Sequence, residues 1–141
     1  MEFDVTQFEN QDEGRFNVRL QNGEEMLIDG KPVVWRMHGL GSKAQVRAEY
    51  RLTRENTANT MSALTGRQAS NSEEETFKRG AQYLADCTIS IDNWPLSAID
   101  TCLNHKLGYM SEQADKFLKN PANFMRPSTA TSPSTSGKAP G

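Results

Sequence analysis

The chain has 141 residues, 35% of them hydrophobic and 24% charged, with a formal net charge of -2. That length and apolar share support one modest core with unstructured ends, and the interleaving of both charge signs excludes the basic face through which a nucleic-acid module holds phosphate. The acidic start MEFDVTQFENQDEG lacks the basic and apolar regions of a signal peptide, and no apolar run approaches the roughly 20 residues that span a bilayer, so a soluble cytoplasmic protein with no membrane partner is expected.

Three short segments read as strands. RFNVRL (Arg15 to Leu20) alternates Phe16, Val18 and Leu20 with polar residues, EEMLID (Glu24 to Asp29) follows Asn22-Gly23, and KPVVWRMHGL (Lys31 to Leu40) follows Asp29-Gly30. Asn-Gly and Asp-Gly pairs tolerate the positive φ of a type I′ turn, which predicts a small antiparallel meander. Pro32 stands at the start of the third strand, where its missing N–H costs little. Alternation then places Val33, Trp35 and Met37 on one face, the expected core face, with Val34, Arg36 and His38 on the other.

Helical signals follow Gly41. Ser42 and Gln45 have capping-box spacing, so a helix is expected from about Lys43 to Glu55 or further, weakened by Asn56-Thr-Ala-Asn-Thr and broken at Gly66. A second capping box at Ser72 and Glu75, with three carboxylates at the positive end of the helix dipole, opens a stronger helix. Its apolar stripe runs through Phe77, Ala81, Leu84, Thr88 and Ile91, and Pro95 ends it by about Trp94. Leu96 to Lys106 forms a third helix capped by Ser97, with Ile99, Cys102 and Leu103 inward and Gly108 as its stop. A fourth starts at Ser111 and includes Gln113, Ala114, Phe117 and Leu118, and Asn120-Pro121 begins a last turn ending at Phe124. The expected fold is therefore α+β: a small N-terminal antiparallel β segment followed by a helical domain. The ends are read as a flexible acidic N-terminus over 1–13 and a disordered Ser/Thr/Pro-rich tail over 127–141, flanking one domain over 14–126.

Little in the chain resembles catalytic chemistry, and neither an enzyme nor a cofactor is expected. His38 and His105 are the only histidines, and Cys102-x-x-His105 would need two further ligands, so a buried thiol beside a solvated imidazole is the preferred reading and no metal is expected. Cys87 and Cys102 read as small buried hydrophobes in a reducing compartment. HGLGS lacks the full spacing of a phosphate-binding loop and reads as a strand-to-helix turn. Arg47, Arg51 and Arg54 share one side of the first helix, but Glu49 and Glu55 are interleaved, so a solvated face is preferred and nucleic acid is not an expected partner.

The segment from Asn93 to Phe124 gathers large side chains just before a tail with none. It reads as a compact helical hairpin that holds another protein, with Trp94, Tyr109, Phe117 and Phe124 as candidate partner-binding residues. A homo-oligomer stays open.

The order of these signals resembles that of the tail assembly chaperones of long-tailed bacteriophages. It consists of a strand with GKPVVWRMHGL, Gly41-Ser42 opening the charged helix AQVRAEYRLTREN, a helix LADCTISIDNW, and a Ser-capped hairpin closing with Asn123-Phe124. The resemblance covers roughly Gly14 to Phe124. It departs from the family where Trp94 runs straight into Pro95 and in its Ser/Pro-rich tail. What the resemblance implies is a non-enzymatic protein of the host cell cytoplasm that binds the tape-measure protein, keeps it soluble and helps recruit tail-tube protein. The alternative is a structural tail-completion or head-to-tail connector protein retained in the virion.

Overall fold

The computed structural model describes residues 4–64 and 73–125. Within them the fold is α+β, as expected. Its strands are β1 (Glu13–Asn17), β2 (Leu27–Ile28), β3 (Lys31–Pro32), β4 (Val34–His38) and β5 (Thr88–Asp92), and its helices are α1 (Lys43–Leu64), α2 (Glu73–Asp86), α3 (Ala98–Leu103) and α4 (Gly108–Lys119). A three-stranded antiparallel sheet has the order β1-β4-β5, and β2 pairs with β3.

Pleating sends Phe16, Trp35 and Met37 inward and Glu13, Arg15 and Arg36 outward. Phe16, Trp35 and Ile91 stand in one row across the three strands, and the Phe16 and Trp35 rings stack at 6.1 Å. Val33, Trp35 and Met37 are all fully buried, as their alternation predicted. On the outer face Arg36 pairs with Glu13 at 2.8 Å.

The expected meander takes a tighter form, because β1 pairs directly with β4 and the chain between them folds back on itself. Val18 N donates to Val33 O, Met26 N to Val18 O and Val33 N to Met26 O, at 2.9, 3.0 and 3.0 Å. All three side chains are buried. Asp29 and Gly30 both have positive φ, 53° and 78°, which is the backbone that a type I′ turn requires between β2 and β3.

The helix expected to continue to Trp94 ends instead at Asp86, and residues 88–92 turn back as β5. Thr88 and Ile91 therefore leave the helical stripe. The physical reason is that Thr-Ile-Ser-Ile is a β-branched, alternating run, and β4 would otherwise keep an unpaired edge. Thr88 secures the switch: its hydroxyl donates to Leu84 O at 2.7 Å and accepts from the Trp35 indole Nε1 at 2.9 Å. The remainder of the chain after β4 is thus not all helical.

Helix α1 runs through the Asn/Thr-rich stretch to Leu64, further than its composition predicts. It is braced by α2, since Arg51 pairs with Asp86 at 3.3 Å and Arg79 Nε donates to Asn56 Oδ1 at 3.0 Å. Its cap is a shifted box. Ser42 Oγ accepts from Gln45 N at 3.3 Å, whereas Gln45 Oε1 accepts from Gly41 N at 2.9 Å. Gly66 and the Ser72 cap lie outside the described residues.

Ser97 caps α3 as expected, accepting from Asp100 N at 3.1 Å. Cys102 faces inward, but Leu103 is exposed. Gly108 opens α4 and does not stop α3: it has helical φ and ψ of -57° and -29°, and the break falls at Asn104, whose extended backbone precedes a 3₁₀ turn. Asn120 caps the last turn, Pro121–Phe124, accepting from Ala122 N at 3.1 Å.

The segment read as a flexible N-terminus is tied down at its end. Gln11 N donates to Phe124 O at 2.7 Å and Gly39 N to Asp12 O at 2.6 Å, so the domain boundary falls before Glu13, where β1 starts. The tail over 127–141 lies outside the described residues.

Candidate functional site

The four side chains read as partner anchors belong to the packed body. Phe124 is 0% exposed, with its ring edge-on to Phe117 at 5.3 Å. This corrects its reading as an anchor, because a side chain closed inside the core cannot meet a partner on the folded surface. Phe117 also packs on Phe16 at 4.9 Å and is half-buried with Tyr109 and Trp94 against the core. The Trp94 indole donates to Thr101 Oγ1 at 2.8 Å. Sequence clustering of aromatics thus marked where the helices close over the sheet, since large side chains near a chain end are what a small core needs to be capped.

A different surface is concave and apolar. A groove of about 490 Å³ lies between α2 and α4. Phe77, Gly80, Ala81 and Leu84 of α2 form one wall, Leu52 of α1 adds to it, and Gly108, Ser111, Glu112, Asp115 and Lys119 of α4 form the other. The α4 residues recur at three- and four-residue spacing and so share one face of the helix, while Met110, Ala114 and Leu118 on a neighbouring face are buried in the core. None of the four expected anchors lines the groove. Phe77, assigned by sequence to the core stripe, is half-buried, and the His105 imidazole stacks on it at 4.1 Å. His105 is thus an aromatic neighbour of Phe77 on the surface, whereas Cys102 is buried.

Ser111 Oγ is the one buried side-chain polar atom among the described residues without a hydrogen-bond partner. It lies beside the Cys102 thiol, which burial pushes up to about 11 and the Ser111 hydroxyl acts to lower. Glycines 80 and 108 face open space, since a Cβ built on either meets nothing within 4 Å. Sequence reading gave Gly108 and Ser111 helix-boundary roles and passed over Gly80. Gly80 carried a usable signal, because glycine in mid-helix costs stability relative to alanine and so calls for a reason.

Elsewhere the titratable groups serve the fold. Gln45 Nε2 donates to the Tyr83 hydroxyl at 3.1 Å, and burial pushes the Tyr83 phenol and the neighbouring Cys87 thiol each up to about 12. Both cysteines are neutral, buried thiols at physiological pH, which suits packing and not nucleophilic chemistry. Among the described residues no three His, Cys, Asp or Glu side chains are grouped to hold a metal ion, and no helix is long and apolar enough to cross a membrane. Arg51 of the three-arginine stripe is engaged by Glu55 and Asp86. No protein-family model, curated protein or solved structure matches this chain.

Proposed function

We propose that this chain is a non-enzymatic tail assembly chaperone, which binds the tape-measure protein of a long-tailed bacteriophage in the host cell cytoplasm, keeps it soluble and helps recruit tail-tube protein. The observation that carries the reading is the apolar groove between α2 and α4, built on two helices anchored to the sheet and left unfilled by any described residue. An unassembled tape-measure protein is long, helical and apolar, and an apolar groove between rigid helices is the shape that accepts an amphipathic helix. The order of strand, charged helix and Ser-capped C-terminal elements, on which the resemblance rests, supports the same reading.

Co-expression with the tape-measure protein tests it. The expected result is that the soluble share of the tape-measure protein rises several-fold and that this chain co-purifies with it but is absent from finished particles. If no rescue occurs and the chain is found in purified particles, the connector or tail-completion role replaces the chaperone.

A further inference from the structure

Gly39 N donates to Asp12 O and Val18 N to Val33 O, while the register of β1 on β4 sets Gly14 against Met37 and Phe16 against Trp35. Hydrogen-bonded pairs alternate along an antiparallel ladder. The even residues from 12 to 18 therefore bond to β4 and the residues flanking it. The odd residues Gln11, Glu13, Arg15, Asn17 and Arg19 turn their N–H and C=O groups the other way, to the outer edge of the sheet.

Both ends of that outward row are closed. Gln11 N donates to Phe124 O at 2.7 Å. Arg19 N donates to Gln113 Oε1 at 2.9 Å and Arg19 O accepts from Gln113 Nε2 at 2.8 Å, so one side-chain amide of α4 does what a neighbouring strand would do. Between these stops the edge-facing groups of Glu13, Arg15 and Asn17 have no partner among the described residues, and all three side chains are exposed. A hollow of about 450 Å³ lies against Gln11, Glu13, Gly14 and Arg15, walled by Asn123, Arg36 and Asp92.

Charge selects what can lie there. Arg15 stands directly opposite Arg36, and like charges in that position are destabilising. Arg36 is compensated by Glu13 at 2.8 Å and by the nearby Asp92, whereas Arg15 forms no ion pair among the described residues. An antiparallel strand added to this edge sets its central residue beside Arg15 on the same face, where a carboxylate completes the pair. Residues 65–72 and 126–141 hold no acidic side chain. A second copy does not supply one either. Pairing β1 with itself inside the window sets Arg15 against Arg15, and any other register runs Asn17 onto the closed Gln11 or Glu13 onto the closed Arg19. The free edge of β5 turns Ile91 outward, because Ser90 and Asp92 pair with β4. Strands β2 and β3 have 2 residues each, and the acidic N-terminal stretch is wound into a 3₁₀ turn over Val5–Phe8.

We propose that the edge of β1 between Gln11 and Arg19 receives an extended acidic segment of a partner protein, added as an antiparallel strand over Glu13–Asn17 with aspartate or glutamate opposite Arg15. Strand addition draws its affinity from main-chain hydrogen bonds and its selectivity from alternate side chains. Here the first come from the open groups of Glu13, Arg15 and Asn17, and the second from the Arg15 guanidinium. The site is apart from the groove between α2 and α4, and it stands whether or not the chaperone reading does.

The test uses the full chain and fluorescein-labelled peptides of about 9 residues, long enough to cover the window as a strand. All share a Thr/Val alternation. One has a central glutamate, one a central lysine, and two repeat the glutamate peptide with an N-methyl group, either on the central amide or on the next one. The central amide of an antiparallel strand points at Arg15 and the next one points away. The glutamate peptide should bind about 5-fold or more tightly than the lysine peptide. Methylation of the central amide should weaken binding about 10-fold or more, while methylation of its neighbour changes it by less than about 3-fold. Arg15→Glu, at an exposed position, should melt as wild type does and prefer the lysine peptide. Amide exchange gives a second readout: in the free chain the Glu13, Arg15 and Asn17 amides should exchange faster than those of Gln11 and Arg19, and the glutamate peptide should slow those three alone. The inference is overturned if the glutamate peptide does not bind, if the two methylated peptides bind alike, or if Arg15→Glu keeps the wild-type preference. Protection of the three amides in a free chain that sediments as a dimer gives the edge to a second copy and overturns it too, as does their protection in a free monomer.

Discussion

Phe124 closes the core over β1, and its contact with Gly14 allows a coupled prediction. A Cβ added at Gly14 would lie 2.9 Å from Phe124 Cε1 and 3.1 Å from both Phe124 Cδ1 and Phe117 Cζ. Phe124→Ala alone removes a ring with no exposed surface and should cost about 3–5 kcal/mol through lost transfer energy and the cavity left behind. Gly14→Ala alone overpacks the same spot at about 1–3 kcal/mol, offset by about 0.4–1 kcal/mol from the freedom that alanine removes from the unfolded chain. Placed in the Phe124→Ala background, Gly14→Ala meets a cavity where the ring stood. Its effect should then fall to about zero or become stabilising, an interaction energy of about 1–3 kcal/mol between the two sites. Urea denaturation of the four proteins, followed by far-UV circular dichroism, measures the cycle. Because a domain has only about 5–15 kcal/mol in total, Phe124→Leu replaces the alanine variant if that one does not fold. Additivity within about 0.5 kcal/mol would refute the packing described for Gly14 against Phe124.

Two further outcomes follow from the same coordinates. Gly39→Ala would set a Cβ 2.0 Å from Gln11 O, a backbone atom that no rotamer change can move, so it should destabilise by at least about 2 kcal/mol, and amide exchange at residue 39 should accelerate as its bond to Asp12 O is lost. The buried Cys87 and Cys102 thiols, raised by burial from the ordinary 9.0 to about 12 and about 11, favour folding fully below pH 9, and this contribution is lost as pH rises towards 12, because the unfolded chain releases those protons first. Denaturation midpoints should therefore be insensitive to these thiols up to pH 9 and fall above it, with neither thiol reacting with a disulfide reagent at pH 8 until the protein unfolds; rapid native-state labelling would contradict the burial.

Much of the architecture could be read from local signals, and the failures have specific causes. Asp29-Gly30, the Ser97 cap and the Asn120-Pro121 turn each act within a few residues, so composition alone specifies them. The alternation of Val33, Trp35 and Met37 needed only the period of a strand. Thr88 to Asp92 was misread because its apolar residues fit both a helical and an extended period, and the neighbouring edge of β4, about 50 residues earlier in the chain, settled the matter. Gly108 was misassigned because the chain breaks earlier, at Asn104, and re-enters helix through a 3₁₀ turn, and Leu103 because it ends a helix of only 6 residues, where its side chain is exposed.

The candidate site was less legible than the fold. Phe124 and Phe117 read as surface anchors because a sequence shows how many aromatics a segment contains but not which of them meet Phe16 and Trp35 across the core. Gly80, Ser111 and Leu52 come from three different helices and have no shared spacing, so only their convergence in space makes a groove of them. Amphipathic periods, caps and turns are local free-energy minima written in adjacent residues and can be read in order. A concavity has no local counterpart: it is the volume that remains after distant elements have packed, and it exists only once α2, α4 and the sheet have taken up their places.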